Sequence, residues 1–284
     1  MTLISKLARW SANVVDRLQL QATVRQEYDR VKREVELKTP GNPAIYGYKI
    51  YSQCDEDGIL AYIFSKIPSN CIFVEIGCGN GLENNTHALA LSGWRGIWID
   101  GNERNIRVIR DVIPRSEQLL YRCKIITAEN VVQTIQSLLT ELGTASTDLL
   151  SIDIDSNDIY VLSEALKYLE PKVLCVEYNA KFPPPLDVKV KASTARWTGD
   201  DYQGASLSSF VSLLEPLGYH LITCNLSGVN AFFVRNEFAD EFPRFSAAEL
   251  YQPARFYLRR LASGHRPSLK FLADAVEGGL HGGR

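Results

Sequence analysis

No apolar run in this sequence approaches the length of a membrane span, and the amino terminus lacks the hydrophobic core and cleavage site of a secretory leader. A cytoplasmic location is therefore expected. There is no C-x-x-C pair for zinc and no dense disulfide framework, because the six cysteines are scattered at positions 54, 71, 78, 123, 175 and 224. Four of them, Cys71, Cys123, Cys175 and Cys224, lie in apolar strand-like runs, so the set reads as small buried thiols. Positive charge is not in excess either: the formal net charge is -2, and no global field draws the chain to nucleic acid. Internal repeats and low-complexity tracts are absent. What remains, 284 residues with 45% hydrophobic and 23% charged content, is enough for one α/β domain with extensions.

The chemistry gathers around Cys71-Ile72-Phe73-Val74-Glu75-Ile76-Gly77-Cys78-Gly79-Asn80-Gly81. An apolar run ends in three glycines at alternate positions and a helix-compatible segment follows, which predicts strand, tight turn and helix start. A second apolar run, Gly96 to Ile99, ends in Asp100, at the spacing where an acid grips ribose hydroxyls. The dinucleotide fingerprint needs glycine at 82, where Leu82 stands. G-x-G-x-G with Glu75 two residues ahead is instead similar to the first motif of class I methyltransferases, which bind S-adenosylmethionine (SAM). A glycine turn without a ligand is the competing reading.

Taken in order, the chain predicts a long amphipathic helix over 7–35, with Leu7, Trp10, Val14, Val24, Tyr28, Val31 and Val35 at spacings of threes and fours. Such a helix suits homo-oligomerisation; a helix folded back on its own domain fits equally well. Interfacial membrane contact around Leu3, Ile4, Leu7 and Trp10 is disfavoured by the acids mixed with the bases further along. Thr39 to Pro43 stops the helix, giving an extension over 1–43, a main domain over 44–239 and a helical tail over 240–284 in which no chemistry is legible. Helices are expected at 59–64, 105–112, 131–142, 156–169 and 204–217, and strands at 119–127, 148–155 and 171–179. A hairpin is expected from 219 to 234, turning at Asn225-Leu226-Ser227-Gly228. This alternation predicts an α/β Rossmann-like fold, a mostly parallel seven-stranded sheet ending in an antiparallel hairpin.

Ligands of such sheets sit at the carboxyl ends of the strands, where Gly79, Asp100, Glu129, Asp153 and Glu177 are all expected. Gln53 or Glu56 is placed to close over the methionine end, Asn85 and Thr86 to offer amides at a helix start, and Glu129 to meet the adenine amine. Capping and packing around 51–64, and helix capping by Glu129 or Asn130, are the plainer alternatives. His87 is expected in the core or on a helix surface. Asp153 and Asp155 share a strand face, and Glu177 with Asn179 repeats the pattern one strand over. Converging carboxylates repel one another unless a cation intervenes, and hard oxygen ligands suit Mg²⁺ or Mn²⁺. Capping of the following helix by Asp155 or Ser156, with Asp158 favoured by the helix dipole, is the plainer alternative, and it is preferred for Asp158.

Ser52-Gln53 with Glu56-Asp57, then Val74 to Gly77, Asn85-Thr86 and Gly93-Trp94-Arg95-Gly96, resemble FkbM-type methyltransferases over about residues 50–235. That family is class I and SAM-dependent, and it includes O-methylation of natural-product hydroxyls. Asp153-Ile154-Asp155 is similar to the Asp-Gly-Asp segment of macrocin-type sugar O-methyltransferases, with Ile154 in the place of the glycine and Glu177-Tyr178-Asn179 in the place of an Asp-Asp pair. The resemblance implies SAM held by Gln53, Glu75, Gly77, Gly79, Gly81, Asn85, Thr86, Asp100 and Glu129. It also implies a divalent metal on Asp153, Glu177 and Asn179, Asp155 as base, and a sugar-containing acceptor. Pro183 to Tyr202 is the expected lid, with Trp197 or Tyr202 available to stack on a sugar or simply packed in the loop. A metal-independent enzyme of the same fold and a non-catalytic assembly module are the alternatives.

Overall fold

A computed structural model describes residues 3–193, 197–262 and 264–278, with side chains from residue 19 onward. The apolar runs become strands because burial on both faces rewards continuous rather than alternating hydrophobicity. Every residue of β1 (Ile72–Ile76) is buried. The others are β2 (Arg95–Asp100), β3 (Leu119–Cys123), β4 (Leu149–Ile152), β5 (Val173–Glu177), β6 (Tyr219–Cys224) and β7 (Asn230–Arg235). The seven strands run in the order β3-β2-β1-β4-β5-β7-β6, with β7 antiparallel to both neighbours and the remaining pairs parallel. This is the α/β Rossmann-like topology expected above, a mostly parallel seven-stranded sheet ending in an antiparallel hairpin.

Successive side chains along each strand point to opposite faces, and this splits the core in two. Val74, Ile97, Ile99 and Leu150 pack under α5 (Val131–Glu141), α6 (Asp158–Ala165) and α7 (Leu207–Leu214). Phe73, Trp98 and Val173 pack with α2 (Glu56–Lys66), α4 (Glu103–Arg110) and the C-terminal α9 (Lys270–Gly278). The hairpin turns where expected, at Gly228, whose φ of +68° and the Pro253 carbonyl 2.3 Å from a notional Cβ leave no room for a side chain.

Several elements are shorter than their patterns suggest. The third strand ends at Cys123 rather than Thr127, and the fourth at Ile152, before both aspartates. No helix starts at the glycines; a turn intervenes, and α3 is five residues, His87–Leu91. Of the cysteines, Cys54, Cys78, Cys175 and Cys224 are buried as expected, but Cys123 is exposed because it ends the edge strand.

The amino-terminal helix α1 spans Leu3–Lys38, about 54 Å at 1.5 Å per residue. Its second half folds onto its own domain: Val24, Tyr28, Val31 and Val35 pack with Ala44, Cys54, Leu226, Leu258 and Leu261. The apolar positions Leu7, Trp10 and Val14, on which pairing was expected, lie outside the described side chains. Among the described residues no helix is long and apolar enough to cross a membrane. The tail is part of the same body, with α8 (Ala247–Leu250) and α9 burying Leu250 and Leu272 in the two sheet cores. Tyr178 Oη donates to the Gln252 carbonyl at 2.5 Å, and Tyr251 Oη to that of Ala180.

Candidate active site

A cleft of about 1570 Å³ opens over the carboxyl ends of β1, β2, β4 and β5. Gln53, Gly77, Gly79, Asp100, Glu129, Asp153, Asp155 and Glu177 all line it. Gly77 is there for space: its φ is +90° and a Cβ would stand 1.7 Å from the Asp153 carbonyl oxygen. Gly79, at φ +56°, has nothing within 4 Å of a notional Cβ, so its bare backbone faces the opening. Its amide donates to Asp100 Oδ2 at 2.9 Å, while Asp100 Oδ1 accepts from Asn102 N at 2.7 Å and Asn105 Nδ2 at 3.1 Å. Asp100 thus ties the ends of β1 and β2 together, and Oδ2 keeps a lone pair toward the cleft. Glu129 is exposed on the rim, its carboxyl held below the usual range by the Thr127 hydroxyl.

Four expected cofactor residues stand beneath the cleft instead of in its lining. Gly81 is turned to the core, with Trp98, Ile109 and Leu269 within 3.4 Å of a notional Cβ. The amides of Asn85 and Thr86 do face a carboxylate, but it is the protein's own. Glu75, buried at the end of β1, accepts from Asn85 N at 2.8 Å, Thr86 N at 3.2 Å, Asn84 Nδ2 at 2.8 Å and the Thr86 hydroxyl. Burial pushes the Glu75 carboxyl up, and these four donors pull it back. Asn85 Nδ2 is spent on Ser151 Oγ at 3.1 Å. Glu75, Asn85 and Thr86 brace the turn from below. His87 is a core histidine: Nδ1 donates to the Gly81 carbonyl at 2.6 Å, Tyr51 stacks on the ring at 3.6 Å, and burial lowers its pKa to about 4.

At the other end of the cleft, Asp153, Asp155 and Glu177 bring one carboxylate oxygen each within 4.8 Å of the others. Burial, then Asp158 and Asp155, push Asp153 up to about 7; burial, then Asp153, push Glu177 well above the usual range. Asp155 is the exposed member, and its φ of +62° is a strained value for a residue with a Cβ. Asp158, the first residue of α6, maintains that turn by accepting from Ile154 N at 2.8 Å and Ser156 N at 3.0 Å; both amides precede the helix, which has no side-chain cap hydrogen bond. The left-handed residue is Asp155, so Ile154 occupies the place of the glycine without left-handed backbone of its own.

Asn179 does not join the acids. Its Nδ2 donates to the Asp201 and Gln203 carbonyls, both at 3.0 Å, and its Oδ1 accepts from Lys181 N. The alternation that paired it with Glu177 stops where β5 stops, and the third carboxylate of the cluster is Asp155. From the expected lid, Ala192 and Ser193 reach the cleft, and Asn157 holds Ser193 through Nδ2 at 2.6 Å and Oδ1 at 3.2 Å. Trp197 Nε1 bonds the Asp200 carbonyl and Tyr202 Oη accepts from Lys191 N; neither ring lines the cleft.

One lining residue escaped the sequence reading altogether. Arg259, from the 3-10 turn Phe256–Arg260 in the tail, reaches the acids, and its charge opposes the rise of Asp153 and Glu177. No motif or periodicity surrounds it, so only the tertiary fold reveals it.

No family model matches the chain, and no curated protein matches it in sequence. Among solved structures, the Methanococcus jannaschii fibrillarin pre-rRNA processing protein is 13% identical, with 66% of this chain and 78% of that one covered and a TM-score of 0.42. The SAM-bound amino pentose methyltransferase from Micromonospora echinaspora, involved in calicheamicin biosynthesis, is 11% identical over 65% of this chain and 92% of its own, at a TM-score of 0.40. The plantazolicin methyltransferase in complex with SAH is 12% identical over 79% and 98%, at 0.42.

Proposed function

We propose that the protein is a SAM-dependent O-methyltransferase acting on a hydroxyl of a sugar or sugar-bearing metabolite. The observation that carries the reading is the cleft floor: a left-handed Gly79 with no atom near its Cβ position, its amide bonded to an acid at the end of the next strand. Bare backbone there admits the sulfonium and ribose, and Asp100 Oδ2 retains acceptor capacity for a ribose hydroxyl. The acceptor class rests on the resemblance to FkbM-type and macrocin-type enzymes.

Three carboxylates within 4.8 Å, two of them raised by burial and mutual repulsion, fit a hard divalent cation. Asp153 and Glu177 would hold it beside Asp155, and Mg²⁺ or Mn²⁺ there would supply acidity to an oxygen ligand. The chain itself does the rest. Asp155, the exposed member, takes the proton of the acceptor hydroxyl as its oxygen attacks the methyl carbon in line; the sulfonium leaves as a neutral thioether. Alignment of two bound reactants in one cleft accounts for much of the acceleration.

The proximity of Arg259 to the acids favours a second reading, a metal-independent enzyme whose acids are balanced internally. Calorimetry with SAM, followed by transfer of labelled methyl to a panel of sugar acceptors with and without EDTA, tests both. Binding and chelator-sensitive transfer are expected; chelator-resistant transfer selects the second reading, and absence of SAM binding overturns the proposal.

A further inference from the structure

We infer that Arg259 takes the α-carboxylate of the methyl donor's methionyl end, with Gln53 Oε1 receiving the α-ammonium beside it. The inference rests on the SAM reading above and adds the recognition of the donor's amino-acid head. Asp100 and Glu129 assign the adenosine to the β2 and β3 side of the cleft, so the head points toward β4 and β5. That end is rich in acceptors: three carboxylates and the Gln53 amide oxygen. A ligand carboxylate entering it is repelled unless a cation is built into the wall.

Three basic residues line the cleft among the described residues, and two of them stand at the wrong end. Arg104 belongs to α4 and Lys124 follows β3, both on the adenosine side. Arg259 alone reaches the acids. Its guanidinium lies 4.9 Å over the Phe256 ring, which keeps the planar fork from swinging freely. Its segment is also tied to the one that bears Gln53: Lys49 Nζ donates to the carbonyls of Gln53 at 2.9 Å and Arg259 at 3.5 Å, and Cys54 Sγ reaches the Leu258 carbonyl at 3.7 Å.

The second observation concerns what these two side chains lack. Arg259 Nε, a donor, and Gln53 Oε1, an acceptor, are both buried without a hydrogen-bond partner. Leaving such atoms unpaired costs free energy, and the cost is removed by a ligand that presents an acceptor to one and a donor to the other. A ribose or an aliphatic chain lacks the charge for this; an α-amino acid head has both charges on one carbon.

The test is calorimetry on the full chain with two probes that share the adenosine. S-adenosylhomocysteine carries the amino-acid head, and 5′-methylthioadenosine does not. Arg259→Met should weaken S-adenosylhomocysteine roughly 10- to 100-fold, the range of a charged hydrogen bond. It should leave 5′-methylthioadenosine unchanged, which also shows that the variant is folded, and Arg259→Lys should recover part of the loss. Equal losses for both probes would mean that Arg259 only shapes the cleft, and no loss for either would mean that it does not meet the head; each overturns the inference while the SAM reading stands. If the unmodified protein binds neither probe, the SAM reading falls first.

Discussion

Glu75 and Asp153 stand at the ends of neighbouring strands, and burial raises the pKa of both, yet their surroundings differ in kind. Glu75 is fed by four donors, and Asp57 in the first turn of α2 by the amides of Ile50, Tyr51 and Ser52 and the Ser52 hydroxyl. Glu56 likewise accepts from Cys54 N, Asn225 Nδ2 and Asn230 Nδ2. Asp153 instead faces Glu177, Asp155 and Asp158, and among the described residues no backbone amide donates to the side chain of Asp153 or Glu177. The perturbed pKa does not separate the two kinds of acid; the supply of donors does. One set is spent on holding loops, the other faces the open cleft, where Arg259 opposes its charge.

Removing an acid from each set should have opposite consequences. Glu75→Ala orphans buried donors on Asn84, Asn85 and Thr86 and should lower stability by about 3–5 kcal/mol in denaturant titration. A loss under about 1 kcal/mol would erase the distinction drawn above. Asp153→Asn removes repulsion rather than support, so the thermal midpoint should hold or rise while methyl transfer falls roughly 10²-fold or more. A stability loss as large as that of Glu75→Ala would place Asp153 in the scaffold.

Asp55 sharpens the comparison because it is a scaffold acid with a poor supply. It accepts from Leu226 N at 3.2 Å, its Oδ1 has no partner, and burial, then Glu56, push it up to about 7. A folded-state pKa raised above the unfolded value means that its contribution is fully present below about 4 and is lost as pH rises through about 7. The melting midpoint should therefore fall between pH 5 and pH 8, and Asp55→Asn should flatten that slope. An unchanged slope would show that Asp55 is already ionised throughout. The smallest effect expected is that of Gly79→Ala: strain of about 1 kcal/mol at φ +56°, no clash, and weaker SAM binding because the methyl group enters the cleft. Unaltered SAM affinity would mean that the ligand passes elsewhere.

What was legible in the sequence was whatever short spacing and strand alternation decide. The glycine turn, Asp100 and the acids at two adjacent strand ends follow from such local rules, and they meet in one cleft. Asn179 was misplaced because alternation was extended past Glu177, where β5 ends and the side chain turns to the 201–203 loop. Glu75 was misread for a different reason: in a strand buried on both faces, nothing in the apolar pattern says whether an acid points to ligand or to loop. Arg259 joins Gln53 across more than two hundred residues through Lys49, a relation without any local trace.

The exposed end of the edge strand has a practical use. Cys123 is exposed where Cys54, Cys78, Cys175 and Cys224 are sealed in, and it stands in register with Asp100 on the next strand. Burial and Glu103 hold its thiol above the ordinary range, so a maleimide dye will couple faster in mildly alkaline buffer. A fluorophore placed there, without engineering any residue, sits one strand from the Asp100 end of the groove and offers an optical readout of occupancy.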